Sequence, residues 1–155
     1  MRLNYFKEAP EAMVHIMAME KYVKSLISNG SFDYKLAELV KIRTSQINDC
    51  GYCVDMHTKD TRANEESENR LYLLAHWKEA NCFTDKEKSV LEWCEVVTKL
   101  IKGEREDKAY MELKTFLNDK EIVDLTFVIT LMNTWNRIAF AFKPVVGSYN
   151  VGDFE

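Results

Sequence analysis

The chain has 155 residues, of which 46% are hydrophobic and 30% charged, proportions typical of a soluble globular protein rather than a disordered one. Its net charge of −4 provides no basic footprint of the kind that nucleic-acid binding requires. The length suits one domain with its own core, so we expect residues 1–155 to form a single domain.

The N-terminus and the apolar runs of the chain give no sign of secretion or membrane insertion. Residues 1–8 lack the continuous apolar stretch of a signal peptide, and the most apolar run, Leu125 to Met132, is too short to cross a bilayer. We therefore expect a cytoplasmic protein with no membrane partner. Disulfides that serve only stability are rare in the cytoplasm, so a Cys-x-x-Cys pair there indicates redox or metal chemistry.

Helical periodicity dominates the chain, and no segment shows the alternation of a β-strand. Pro10 suits a first helical position, and Gly30 and Gly103 suit helix stops. Two capping boxes, Thr84-Asp-Lys-Glu87 and Asn118-Asp-Lys-Glu121, mark the starts of two later helices. The predicted fold class is all-α, a bundle of about six to seven helices. The predicted helices run from about 10 to 30, 33 to 48, 50 to 64, 66 to 80, 84 to 103, 106 to 116 and 118 to 142.

The last predicted helix differs from the others in being apolar on nearly every side before it stops ahead of Pro144. Such a helix must be covered on all faces, and in a domain of this size we expect a partner subunit to supply part of the cover. The chain is therefore predicted to form a homo-oligomer. On the other helices, apolar stripes place Met17 and Ala75 among the residues that face the core.

Cys50-Gly-Tyr-Cys53, followed by His57, is the chemically most informative stretch. If Cys50 opens the third helix, Cys53 and His57, which are four residues apart, adjoin on one helical face. Cys50 and His57 are two turns apart, roughly 10 Å along the axis, so His57 should act on Cys53. The helix start and the imidazole both favour the thiolate, and lowering the thiol pKa from ~8.5 to ~7 would raise the nucleophilic fraction roughly tenfold.

Glu38, followed by eleven residues, Cys50-x-x-Cys53 and His57, resembles the core motif of alkylhydroperoxidase D-like proteins, within the carboxymuconolactone decarboxylase superfamily. The segments 50–59, 83–87 and 133–137 are similar to one cysteine-containing branch, so the resemblance covers most of the chain. It implies an alkylhydroperoxidase D-like helical bundle whose subunits associate into dimers, trimers or hexamers. Tyr52 departs from the pattern, because the best-studied members carry a second His there.

The resemblance also implies a role for each residue of the motif. Cys53 would be the peroxidatic thiol and Cys50 the resolving thiol, so that the pair cycles through a redox-active Cys50–Cys53 disulfide. His57 would take the Cys53 proton, with Glu38 orienting the ring or relaying the proton. The implied function is a thiol-dependent peroxidase in antioxidant defence. Its co-substrates would be a hydroperoxide and an external thiol or lipoyl-type reductant, with no bound cofactor and no metal.

Other interpretations of these residues stay open. The same pair would serve a general thiol–disulfide oxidoreductase, or a non-catalytic redox sensor whose disulfide alters a partner surface. A structural zinc site is a further alternative, but it needs four ligands, and only Cys50, Cys53 and His57 come with local spacing. Completing it would require one of four residues that have no partner at finger-like spacing, namely Cys82, Cys94, His15 and His76.

Residues outside the motif have simpler interpretations. Cys94 lies on the apolar stripe of its helix and is predicted to be in the core, whereas Cys82 precedes a turn. Asn133, Asn136 and Arg137 are polar groups in an otherwise apolar helix, and buried polar groups must be hydrogen-bonded. We expect these three side chains to form a structural polar network near the subunit interface, with contact to a substrate as the alternative.

Overall fold

A computed structural model describes residues 1–154, and every regular element within this range is helical, which confirms the all-α prediction. This part of the chain contains eight α-helices and one 3₁₀ turn, Leu74–His76. None of these helices combines the length and apolarity needed to span a membrane. The helices are α1 Tyr5–Glu8, α2 Pro10–Ser28, α3 Tyr34–Ile47, α4 Gly51–Ala63, α5 Glu68–Leu73, α6 Asp85–Lys99, α7 Glu104–Leu113 and α8 Asp119–Phe142.

Local sequence signals set the starts of three of these helices. Both predicted capping boxes form, since Thr84 and Asn118 each accept a hydrogen bond from the backbone N–H three residues on. The carboxylates of Glu87 and Glu121 in turn accept from the backbone N–H of the cap residues. Pro10 occupies the first turn of α2, where a missing N–H leaves no helical hydrogen bond unmade. These predicted starts are confirmed.

The prediction of one continuous helix from 66 to 80 is wrong. The observed α-helix begins at Glu68 and ends at Leu73, where the chain tightens into the 3₁₀ turn. A 3₁₀ segment repeats every three residues, which keeps Leu71, Leu74 and Trp77 together on the core side. The same change of period turns Ala75 out to solvent, so the prediction that it faces the core is also wrong.

Three other details depart from the sequence pattern. Helix α6 ends at Lys99, before Gly103, because Leu100 adopts a left-handed conformation with φ at 52° and closes the helix on the carbonyl of Val96. Gly103 precedes α7 instead. Met17 is exposed rather than in the core. Helix α1 has no signal in the periodicity, because four residues make only one turn.

The core lies between α3, α6 and α8, and a polar network crosses it near the end of α3. Asn136 of α8, which is 2% exposed, donates to Ser45 Oγ at 3.1 Å and accepts from Asn48 Nδ2 at 2.9 Å. Asn48 also donates to Asn133 at 3.0 Å. Asn133 and Asn136 therefore form a structural network, as predicted, and they fasten the end of α3 just before Cys50. Arg137 is exposed and joins the network by donating to Asn133 Oδ1 at 2.8 Å. The location of the network near a subunit interface stays a prediction.

The outer face of α8 carries exposed apolar side chains. Val123 and Phe127 project from it, and Phe127 lines a groove of about 440 Å³ together with Trp93 and Tyr110. The association of subunits over this helix stays a prediction.

We expect Asn136→Ala to lower the free energy of unfolding by about 2 kcal/mol, because the buried Asn48 amide then loses an acceptor. Urea denaturation of the oxidised protein measures the change. Thr134→Ala, an exposed position on the same helix, is the control and should stay within about 0.5 kcal/mol of the parent. Equal losses in the two variants would show that the network adds no stability.

Candidate active site

The Cys50-Gly-Tyr-Cys53 motif lies where the chain turns from α3 into α4. Asp49 takes a left-handed conformation with φ at 54°, and the N–H of Cys50 donates to the carbonyl of Ser45 at 2.9 Å. Cys50 is the residue that caps α4, and Cys53 lies in its first turn. The two cysteines are joined by a disulfide, with their Cα atoms 5.4 Å apart. Cys53 is thus at the positive end of α4, among N–H groups that have no acceptor within the helix.

Glu38 and His57 meet where α3 packs against α4. Glu38 Oε2 lies 2.8 Å from His57 Nδ1, and the two residues are only 3% and 8% exposed. Because the ionised carboxylate can only accept, the hydrogen bond requires a proton on Nδ1. Nε2 is then the ring nitrogen available to exchange a proton. His57 follows Cys53 by one turn of the same helix, so the structure brings together Glu38, His57 and Cys53.

The second oxygen of Glu38 is occupied by Lys41, which the sequence did not indicate. Lys41 Nζ lies 2.8 Å from Glu38 Oε1, and Lys41 is itself 9% exposed. Burial alone would raise the pKa of Glu38, but attraction to His57 and Lys41 and hydrogen bonds from both lower it to about 2. Glu38 is therefore a carboxylate at neutral pH, with one oxygen on a cation and the other on the imidazole.

A cavity of about 630 Å³ opens beside these residues. One wall is polar and comes from α3 and α4, with Cys53, His57, Glu38 and Lys41 among its members. The opposite wall is apolar and comes mainly from α2 and α8, with Met17, Val23, Leu131, Met132 and Trp135. Of the two cysteines, Cys53 is the one that lines the cavity, and this distinguishes the thiols by position.

Residues 144–154, which follow α8 and which we call the C-terminal strap, close one side of this cavity. Tyr149 is 5% exposed and donates its hydroxyl to Asp60 Oδ1 at 2.7 Å. Lys59 Nζ donates to the carbonyl of Tyr149 at 2.8 Å, which adds a second contact from α4. The ring of Phe154 stacks on Tyr149 with centroids 5.8 Å apart. The strap is thus fastened to the helix that carries Cys53 and His57.

Helical spacing could have found some of the cavity residues that the motif does not contain. Lys41 and Tyr34 lie three and four residues from Glu38, and Asp60 lies three residues after His57, so each shares a helical face with a motif residue. Burial and the charges of Glu38 and Asp60 raise the pKa of Tyr34, which keeps its hydroxyl protonated. The strap had no such signal, because its position depends on tertiary contacts.

The remaining cysteines and histidines lie elsewhere. Cys94 is fully buried in α6 and its Sγ is 3.1 Å from Thr44 Oγ1, whereas Cys82 is half-buried. His15 and His76 are exposed. Within residues 1–154, no group of three or more His, Cys, Asp or Glu side chains is arranged to hold a metal ion.

Sequence comparison relates the chain to one family and to an uncharacterized relative. The sequence profile of the carboxymuconolactone decarboxylase family matches residues 10–95, a range that includes Glu38, Cys50, Cys53 and His57. The uncharacterized protein YdfG of Bacillus subtilis (strain 168) is 39% identical over 140 residues, which cover 90% of this chain and 92% of YdfG.

Solved structures show the same fold. ATU0492 from Agrobacterium tumefaciens, a protein of unknown function assigned provisionally to the AhpD antioxidant defence proteins, is 40% identical with a TM-score of 0.83, over 91% of this chain and 94% of its own. A peroxidase-related protein with an alkylhydroperoxidase AhpD core, from Ralstonia eutropha JMP134, is 18% identical with a TM-score of 0.73, over 90% and 73% of the two chains. This second likeness concerns the fold alone.

We expect the stability of the oxidised protein to fall as the pH drops from about 4.5 towards 2, in part because of Glu38. Its carboxylate titrates near 4.5 when unfolded and at about 2 when folded, so its stabilising effect is complete above 4.5 and is lost as the pH falls through 2. Glu38→Gln should flatten this part of a plot of unfolding free energy against pH. Parallel plots for variant and parent would contradict the assignment.

We expect Tyr149→Phe to loosen the C-terminal strap, because the mutant ring can no longer donate to Asp60. Amide hydrogen exchange of residues 145–154 should become several-fold faster, while exchange in α3 and α6 stays as in the parent. Tyr72→Phe, which removes an exposed hydroxyl bonded to Glu68, is the matched control. If both variants leave the strap unchanged, the hydroxyl bond does not fasten it.

Proposed function

We propose that this chain, which belongs to the carboxymuconolactone decarboxylase family, is a thiol-dependent peroxidase that reduces hydroperoxides through Cys50 and Cys53. The observation that carries the proposal is the convergence of Cys53, His57 and ionised Glu38 on one cavity. The relative ATU0492, with its provisional place among antioxidant defence proteins, supports a role in oxidative stress. The family match agrees with the resemblance to alkylhydroperoxidase D-like proteins that the sequence motif indicates.

The first step would occur at Cys53 in the reduced protein. His57 Nε2 accepts the thiol proton, and the thiolate attacks the distal oxygen of the hydroperoxide. The O–O bond breaks, a sulfenic acid forms on Cys53, and the proton held by His57 goes to the departing alcohol or water. Glu38 keeps the ring in the tautomer that this transfer needs.

The second step would join the two cysteines. The thiol of Cys50 attacks the Cys53 sulfenic acid, water departs and the Cys50–Cys53 disulfide forms. The Cα separation of 5.4 Å supports this step, because it lies within the range that a disulfide can bridge. Two equivalents of an external thiol, or one dithiol of the lipoyl type, then restore the reduced pair and are themselves oxidised. The proposed cycle needs no bound cofactor.

Position within α4 supports Cys53 as the attacking thiol. The positive end of a helix and a neighbouring base both lower the pKa of a thiol, and a fall to ~7 would leave about half of it ionised at neutral pH. Cys50, two turns from His57, lacks that base. Tyr52, which also lines the cavity, occupies the position between the cysteines.

We expect Cys53→Ser to abolish dithiothreitol-dependent consumption of hydrogen peroxide and of an organic hydroperoxide. Cys50→Ser should stop after one turnover and leave a sulfenic acid on Cys53, which dimedone and mass spectrometry detect. Cys82→Ser removes a half-buried thiol outside the site and is the control for unspecific thiol oxidation. Consumption at the parental rate by both site variants would refute the proposal.

Two other functions predict different results with the same proteins. A general thiol–disulfide oxidoreductase would reduce insulin disulfides without turning over peroxide. A redox sensor would react once, without catalytic turnover, and change its oligomeric size on oxidation, which light scattering after size exclusion would reveal. The homo-oligomer itself is part of our proposal, since the exposed apolar face of α8 suits a subunit contact.

A further inference from the structure

We propose that Lys41 is a positioning residue of the redox site, which neutralises Glu38 and holds its carboxylate against His57 so that the imidazole can act as a base. The inference goes beyond the motif and uses the proposed function only in naming Cys53 as the reacting thiol. Its basis is the pair of contacts that Glu38 makes, with Lys41 Nζ at 2.8 Å on one oxygen and His57 Nδ1 at 2.8 Å on the other.

The two carboxylate oxygens of Glu38 have different partners, one on α3 and one on α4. Lys41 lies three residues after Glu38 on α3, so the two side chains share a helical face and need no tertiary contact to meet. His57 approaches from α4. Since Lys41 binds Oε1, the carboxylate is held with Oε2 directed towards the imidazole.

The positive charge of Lys41 matters because it balances the negative charge of buried Glu38. A buried carboxylate without a cation is strongly unfavourable, so Glu38 must be compensated by whichever cation is closest. With Lys41 present, the ammonium and carboxylate charges sum to zero. Without it, the site carries one more negative charge close to Cys53, and a nearby negative charge disfavours the thiolate.

The surroundings of Lys41 keep it charged. Burial would lower its pKa, but attraction to Glu38, with further contributions from Glu20 and Asp60, raises it above the ordinary value. Glu20 belongs to α2 and Asp60 to α4, so carboxylates of three helices stabilise the charge of this one ammonium group. The other titratable or charged groups lining the cavity are His57 and Cys53 of α4, Tyr34 of α3, Lys24 of α2, Tyr52 of α4, Tyr5 of α1 and Tyr149 of the strap.

The test measures the reactivity of Cys53 without any peroxide, in reduced protein carrying Cys50→Ser. The rate of iodoacetamide alkylation of the Cys53 peptide, followed by mass spectrometry, is recorded against pH. We expect Lys41→Met to move the midpoint of this profile up by about one pH unit, which from a thiol pKa of ~7 means roughly a fivefold loss of rate at pH 7. Lys41→Arg, which keeps the charge, should restore most of the rate.

Lys35→Met is the matched control, because it removes the same charge from the exposed side of α3. We expect it to leave the midpoint in place. A Lys41→Met profile that coincides with the Lys35→Met profile, in protein with parental circular dichroism, would overturn the inference.

A second measurement on the parent keeps the inference testable if Lys41→Met fails to fold. Nitrogen-15 NMR of reduced protein at pH 7.5 should show a proton on Nδ1 of His57, with exposed His15 and His76 as references. An Nδ1 without a proton would overturn the inference, because Glu38 would then not be held against the imidazole. If the alkylation midpoint shifts as expected but peroxide is not turned over, the proposed function fails and the role of Lys41 stands.

Discussion

The carboxylate of Glu38 sits between a lysine and a histidine inside the contact of α3 and α4, and the rest of the site depends on this arrangement. A charge this deep persists only when both of its oxygens have partners, so the two helices must pack closely and in one register. That register also directs the first turn of α4, with Cys53, towards the cavity. The partners that buried Glu38 requires thus help to determine where the sulfur of Cys53 lies.

The surrounding core keeps this arrangement rigid by other means. Asn136 and Asn48 link α8 to the end of α3, directly before the turn at Asp49 that leads into the cysteine pair. Cys94, on α6, adds a contact to α3, with its Sγ 3.1 Å from Thr44 Oγ1. Helix α3 is therefore held by hydrogen bonds to both α6 and α8 close to the point where the cysteine pair begins.

Much of the architecture could be predicted because its determinants are local. The capping boxes at Thr84 and Asn118, and the one-turn spacing of Cys53 and His57, depend only on neighbours along the chain. The break after Leu73 could not be predicted, because an α-helix and a 3₁₀ turn are close in free energy there. Burial of Trp77 in the tertiary core decides between them. Glu38 was found by resemblance, whereas Lys41 carries no meaning until its partner is known to be buried.

The cavity is built from parts with different freedom to vary. Its polar wall belongs to α3 and α4, which the core constrains on several sides, while Tyr5 of α1 and Phe154 of the strap line it from segments outside the central bundle. Substitutions in these outer segments would alter the shape and polarity of the cavity without touching Glu38, Cys53 or His57. The ligands that the cavity admits can therefore change while these three residues stay the same, and selection on the two properties can act separately.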